Sequence, residues 1–289
     1  MPAQPVIELR DVDITEGQHT LVRRLSLDIT PGRVLVVVSE RADVRTALLR
    51  VLAGDIADYT IGGDLVMDGR ELVSRVGNAT QAERHVVRVT GPLEGRARVR
   101  ELADPAILNR VRLAGDDDRV HSLAPADRLR AAFAQALHRD PRVIVVDVPR
   151  MPEAESLYPV YSDLVHALAR EGDVTCIVGT DSLAVAADVG DDVVVLLDGH
   201  AMETGSVYDV CMRPATPYVR DLLRSTPSPH RELPDHAGFL DVTARQGCPW
   251  VLNCREEVLH ACSQTFPETR RVALGHAGAC HRLGADHDA

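Results

Sequence analysis

Aromatic side chains are scarce: one Trp, five Tyr and three Phe among 289 residues. A core built without them has to be assembled from Val, Leu, Ile and Ala, and stacking platforms for nucleic-acid bases are not expected. Positive charge is also in deficit. Lys and Arg number 32 against 43 Asp and Glu, a formal net charge of −11, which argues against the clustered basic surface that nucleic acid requires. No apolar run approaches the roughly 18 to 20 residues needed to span a bilayer. Met1 to Arg10 lacks a basic stretch followed by an apolar one, so no secretory leader is expected and the chain reads as intracellular. Any membrane contact would then pass through a partner.

What is present reads as globular. Short, continuous apolar runs stand at Val34–Val38, Val143–Val146, Val174–Val178 and Val193–Leu197. Runs apolar on both faces suit strands covered on both sides, as in a parallel sheet. Helical patterns lie between them, over Arg45–Leu52, Asp127–Leu137 and Ser156–Ala169, so an α/β core with crossover helices is expected. The opening section differs. Val6–Arg10, Leu25–Ile29 and Gly63–Met67 alternate apolar with polar, the pattern of half-exposed antiparallel strands. Ser225-Thr226-Pro227-Ser228-Pro229 reads as a linker, and the tail beyond it shows little periodicity. The expected division is therefore residues 1–224 as one domain and 225–289 as linker and extension.

A strand, a tight turn and a helix are where a phosphate-binding loop belongs. Here Ser39-Glu40-Arg41-Ala42-Asp43-Val44-Arg45-Thr46 fills that place. Against G-x-x-x-x-G-K-[ST] it keeps only Thr46, with Arg45 for Lys and with Ser39 and Val44 for Gly. Glycine matters there because backbone N–H groups must close on phosphate oxygens at angles that side chains obstruct. Glu40 and Asp43 add repulsion, offset in part by Arg41 and Arg45, and a planar guanidinium does not replace a lysine point charge.

The whole chain, from Ile7 to about Gly284, resembles the nucleotide-binding subunits of ABC transporters, specifically the oligopeptide/dipeptide importer ATPases. The resemblance rests on Ile7–Val12, Leu25–Gly32, Met67-Asp68-Gly69-Arg70-Glu71-Leu72, Asp127–Val143, the hairpin Asp198–Gly205 ("x-G-x-x-x-E-x-G") and Thr216-Pro217-Tyr218-Val219-Arg220-Asp221-Leu222-Leu223. It implies an α/β, P-loop NTPase-like ABC ATPase fold with an antiparallel β subdomain and a helical subdomain. It also implies a second ABC ATPase subunit or domain and transmembrane permease subunits as partners. The implied location is cytoplasmic, peripheral on the inner face of the cell membrane.

Placed on that frame, most of the chemistry is replaced. The adenine-stacking aromatic falls on Glu16, the Q-loop glutamine on Thr90, and the signature L-S-G-G-Q on Leu123-Ala124-Pro125-Ala126-Asp127. Asp147 keeps the magnesium-facing carboxylate of Walker B, but the catalytic glutamate is Val148, which cannot polarise water. The D-loop aspartate falls on Ala154 and the switch histidine on Thr180. Only 32 residues separate Thr90 from Leu123, so the helical subdomain (about 91–122) is expected to be shortened. The expectation is a subunit without hydrolysis of its own, with a vestigial nucleotide site at Ser39, Arg45, Thr46 and Asp147. Weak ATP/Mg binding through Arg45 stays open, as do a weak ATPase using Arg45 and Asp147 and a soluble scaffold or regulator derived from such a subunit.

Six cysteines are present, and four crowd the tail: Cys248, Cys254, Cys262 and Cys280, spaced C-x5-C-x7-C-x17-C. A cytosolic chain rarely keeps disulfides, so the cluster leans towards metal. Four thiolates fit tetrahedral zinc or a cubane iron–sulfur cluster, and no tight C-x2-C knuckle favours zinc. Four free or disulfide-bonded cysteines without metal is the plain alternative. Cys248-Pro249-Trp250-Val251-Leu252-Asn253-Cys254 is similar to the family's "C-P-F-x-x-R-C", and Ala279-Cys280-His281 to its closing "A-C-H". That resemblance implies a [4Fe–4S] cluster; a structural role is expected for it, because metal ligation supplies folding free energy that a small irregular tail lacks. His260, His276 and His281 could replace a ligand but read as surface histidines, and Cys176 reads as inert packing in a buried strand.

Overall fold

A computed structural model describes residues 4–67, 69–71, 86–114, 117–148, 152–172, 174–225, 246–256 and 260–283. Asp68, Leu72 and the linker beyond Ser225 lie outside these described residues.

The alternating opening segments form a four-stranded antiparallel sheet. Strands β1 (Ile7–Glu16), β2 (His19–Ile29), β4 (Thr60–Met67) and β5 (Arg70–Glu71) lie in the order β2-β1-β4-β5. Ile7, Leu9, Val12 and Ile14 all point inward and are buried. A register shift between Leu9 and Val12 lets Val12 rejoin the inner face, with Asp11 at φ +48° absorbing the extra residue.

The continuous apolar runs form the parallel part of a second sheet. Strands β3 (Val34–Ser39), β6 (Val86–Val89), β7 (Val143–Asp147), β8 (Thr175–Thr180) and β9 (Asp192–Leu197) lie in the order β9-β3-β8-β7-β6. Their apolar character on both faces has a direct cause. Val34, Val36 and Val38 enter one core, while Leu35 and Val37 enter another on the opposite face. The second core is closed by helix α1 (Ala42–Leu52) and the antiparallel sheet. The first is closed by α3 (Pro125–Leu137), α4 (Pro152–Glu171), α5 (Leu183–Val189) and neighbouring elements. Each helix begins earlier than the apolar periodicity indicates. Pro125 and Pro152 open α3 and α4 at positions where a missing N–H costs nothing.

Between β6 and α3 stands only a small helical patch: two 3-10 turns, Val99–Glu101 and Val120–Ser122, and α2 (Pro105–Arg110). Val99, Leu102, Leu108 and Val120 pack it into the first core, and ion pairs of Arg98 and Arg100 with Asp117 and of Arg110 with Glu171 lie on its rim.

The tail departs from its sequence reading. It contributes α8 (His260–Gln264) and a hairpin, β11 (Thr269–Ala273) and β12 (His276–Ala279). Strand β12 pairs antiparallel with β10 (His200–Ser206), so the large sheet runs β11-β12-β10-β9-β3-β8-β7-β6. Two short helices, α6 (Val207–Met212) and α7 (Pro217–Ser225), follow β10. The missing periodicity has a simple reason: β11 is exposed at every position, so no buried face marks it in the sequence.

Candidate functional site

The turn between β3 and α1 is only two residues long, Glu40 and Arg41. Ser39 is fully buried at the end of β3, and its hydroxyl donates to Arg41 O at 3.2 Å. The first turn of α1 is served by the protein's own carboxylate. The Val44 backbone N–H donates to Asp43 Oδ1 at 2.9 Å, so the anion at this helix start is a side chain. Arg41 clamps the same carboxylate through Nε and Nη2, at 3.1 and 2.5 Å, and reaches Asp198 through Nη1 at 2.6 Å. These pairs hold the Asp43 carboxyl below its ordinary range and push the Arg41 guanidinium up.

Arg45 lies deeper, with its side chain only 7% exposed. Its Nε donates to Asp147 Oδ1 at 3.0 Å and its Nη1 to Ser39 O at 3.3 Å. Thr46 completes the group, its hydroxyl donating to Asp147 Oδ2 at 3.3 Å. The four residues Ser39, Arg45, Thr46 and Asp147 are thus brought together, but bound to one another. Both arginines expected to attract an anion are spent on internal carboxylates. Gly179 makes room for this: a Cβ there would stand 3.1 Å from Arg45 Cγ and Cδ and 2.4 Å from Leu49 Cδ1.

Two clefts remain nearby. One, of 110 Å3, is lined by Thr46, Leu49, Arg88, Thr90 and Asp147. That is below the range usual for small-molecule pockets, about 300 to 1,000 Å3. The other, of 340 Å3, is lined by Glu16, His19, Arg23, Arg41 and Asp43 among others, and has no Phe, Tyr or Trp to carry a base. Glu16 closes the β1–β2 hairpin opposite His19.

The remaining positions carry packing or backbone bonds. Val148 packs against the helix-side core while its N–H donates to Gly179 O at 3.0 Å. Thr180 is buried and its hydroxyl accepts from Ser182 N. Ala124 is the N-cap of α3 and makes no side-chain cap; Pro125 follows as the first helical residue. Ala154 lies in α4, and its side chain is outside the description.

The four tail cysteines converge. Cys248, Cys254, Cys262 and Cys280 line one cavity of 30 Å3 with Tyr218 and Trp250. None is disulfide-bonded. Burial pushes the Cys248 thiol up to about 11, and its three neighbours push the same way. Four thiolates cannot carry their charge side by side here without a cation among them. Among the described residues, no three His, Cys, Asp or Glu side chains close tightly enough on one point to hold a single ion. Four thiols lining one cavity match a metal–thiolate centre in donor chemistry alone. Cationic groups stand by: Arg220 and Arg282 both pair with Glu256, and Arg220 pulls the Cys280 thiol down against the stronger effect of burial. Gly247 is needed for closure, because a Cβ there would meet Cys262 O at 2.3 Å. Burial also accounts for Cys176, which lies fully inside β8.

One histidine reading is corrected. His276 is buried, not a surface residue, and its Nε2 lies 2.8 Å from Glu203 Oε1. Glu203, itself buried, also accepts from Ala215 N, Thr216 N and Thr216 Oγ1 at 2.8 to 2.9 Å. The glutamate of the "x-G-x-x-x-E-x-G" hairpin thus ties three segments together. Sequence reasoning also missed Tyr218. Its ring packs against Trp250, with centroids 5.0 Å apart, and its hydroxyl donates to Glu40 Oε2 at 3.3 Å. Burial in turn raises the Glu40 carboxyl above its usual value.

No protein-family model matches the chain. Its sequence relatives are ATP-binding proteins of ABC transporters for dipeptides and oligopeptides. It is 24% identical over 255 residues to the dipeptide transport ATP-binding protein DppF of Lactococcus lactis subsp. cremoris, covering 78% of this chain and 82% of that one. Identity is again 24% over 320 residues to the oligopeptide transport ATP-binding protein OppD of Salmonella typhimurium, covering 97% and 95%. Among solved structures, cbiO1 of Clostridium perfringens, part of the ABC transporter complex cbiONQ, superposes with a TM-score of 0.63 at 16% identity. That match covers 73% of this chain and 92% of cbiO1. The fold is that of an ABC ATPase domain.

Proposed function

We propose that this chain is a non-catalytic ATP-binding-cassette subunit of a peptide-type ABC importer, paired with an active ATPase subunit and docked on membrane permeases. No described helix is long and apolar enough to cross a membrane, so in this reading contact with the bilayer runs through the permeases, on the cytoplasmic face. The observation that carries the proposal is the closure of the phosphate site by Arg45, Thr46 and Asp147.

The closure does in protein chemistry what a nucleotide does elsewhere. Arg45 supplies the positive charge beside Asp147 that a metal ion would otherwise supply, and Asp43 supplies the anion at the start of α1. A triphosphate would have to displace both and break a nearly buried ion pair. That costs several kcal/mol before any contact is gained. Val148 offers no base to orient water. In a pair of cassettes, Ala124 at the start of α3 would face the partner's nucleotide without a hydroxyl to offer it, so the subunit's contribution is support and orientation.

Magnesium ATP at millimolar concentration is expected to leave the melting temperature unchanged, since a ligand that binds only the folded state must raise it. The Arg45→Lys variant, with the guanidinium removed, is expected to gain measurable binding but no turnover. Magnesium-dependent phosphate release by the purified wild-type chain would overturn the proposal, as would failure to assemble with permeases and a competent ATPase when co-expressed. Assembly with no membrane protein at all would favour the scaffold reading.

For the tail, we propose a [4Fe–4S] cluster held by Cys248, Cys254, Cys262 and Cys280, with zinc as the alternative. The cluster would supply folding free energy to a segment with little apolar core of its own. Anaerobic purification with iron, sulfide and zinc analysis and an absorption spectrum tests it.

A further inference from the structure

Buried hydrogen-bond donors seldom go without an acceptor, and each exception needs an explanation. Three occur close together, two within the Cys248–Cys254 run and one on α7, whose Arg220 pairs with Glu256. Trp250 Nε1, Asn253 Nδ2 and Arg220 Nε are all buried and all lack an acceptor among the described residues. Trp250 lines the cavity itself, and Asn253 immediately precedes Cys254. Asn253 is fixed by a turn in which its backbone N–H donates to Trp250 O at 3.0 Å. Arg220 is anchored by Glu256, which also holds the cavity-lining Arg282.

Leaving such a donor dry costs its full desolvation penalty, and a small tail bears that poorly. An acceptor that arrives with the metal would satisfy donors placed on this segment. Both Trp250 and Asn253 also stand where the Cys248–Cys254 run differs from "C-P-F-x-x-R-C", at the F and R places. The two replacements are the ones that carry unpaired N–H groups.

We infer that Trp250 and Asn253 are positioning residues for the metal–sulfur centre, donating hydrogen bonds to its sulfur atoms, with Arg220 providing nearby positive charge. The inference rests on the metal reading of the tail and adds which residues tune the centre. Sulfur in a metal–thiolate group carries negative charge and accepts such bonds, and they help set reduction potential and stability. One-electron reduction of an iron–sulfur cluster adds one negative charge, so donors favour the reduced form.

The test uses the full chain, purified without oxygen, as wild type, Trp250→Phe and Asn253→Ala. Trp250→Phe keeps a ring against Tyr218 and removes the N–H. Metal and sulfide are measured first on every sample. With iron bound in all three, titration with dithionite is expected to show a more negative midpoint potential in each variant than in wild type. Iron-loaded variants at the wild-type potential would overturn the inference while leaving the cluster reading standing. With zinc bound instead, the cluster reading falls. The donors are then judged by zinc transfer to a chelator, expected on the order of tenfold faster in the variants; equal rates would overturn them. Wild-type protein holding neither metal would overturn both.

Discussion

Arg45 shows how one residue changes the meaning of a site. A lysine there would be a mobile point charge; the arginine is a fork that takes Asp147 with one nitrogen and a main-chain carbonyl with another. Its place in the phosphate motif was legible in the sequence. Its partner was not, because Asp147 is 102 residues away and nothing in the local pattern indicates an ion pair. The pair is nearly buried on the arginine side, so removing one member strands the other. Asp147→Asn is expected to destabilise the chain by about 3 kcal/mol in denaturant titration. Asp28→Asn, on an exposed pair with Arg10, should cost less than about 1 kcal/mol. Equal losses would show that the Arg45 pair contributes nothing special.

Among the elements, strands β3, β7, β8 and β9 were readable because alternate residues feed two different cores, which leaves an unbroken apolar run. Strands β11 and β12 were not, since one is solvated throughout and the other is short. That hairpin is held by the pairing of β12 with β10 and by side-chain contact beside it: His276 on Glu203, and Phe266 stacked on His200 with centroids 4.0 Å apart. Burial, aided by Arg23, depresses His200 from 6.5 to about 4. The unfolded chain therefore binds a proton first as pH falls. Stability contributed by neutral His200 is complete above pH 6.5 and is lost as pH falls towards 4. A His200→Gln variant should lose less stability than wild type across that window, measured by urea titration at each pH. Parallel curves would refute the assignment.

Across the whole molecule, the cysteine-bearing tail is not hung on the cassette but woven into its main sheet through β12 and β10. The composition changes at Ser225, yet composition carries no information about strand pairing. Ending the chain after Ser225 would bare the β10 edge and remove His276 from Glu203. The truncated protein is expected to melt about 5 to 10 °C lower, the shift that a loss of 2 to 3 kcal/mol produces at this size; an unchanged melting temperature would mean that the two parts are independent. Tyr218 makes the same point in a single ring. One side of it walls the cysteine cavity, and its hydroxyl donates to Glu40 in the turn between β3 and α1. The two neighbourhoods therefore share a wall, and neither can be rebuilt by an engineer without disturbing the other.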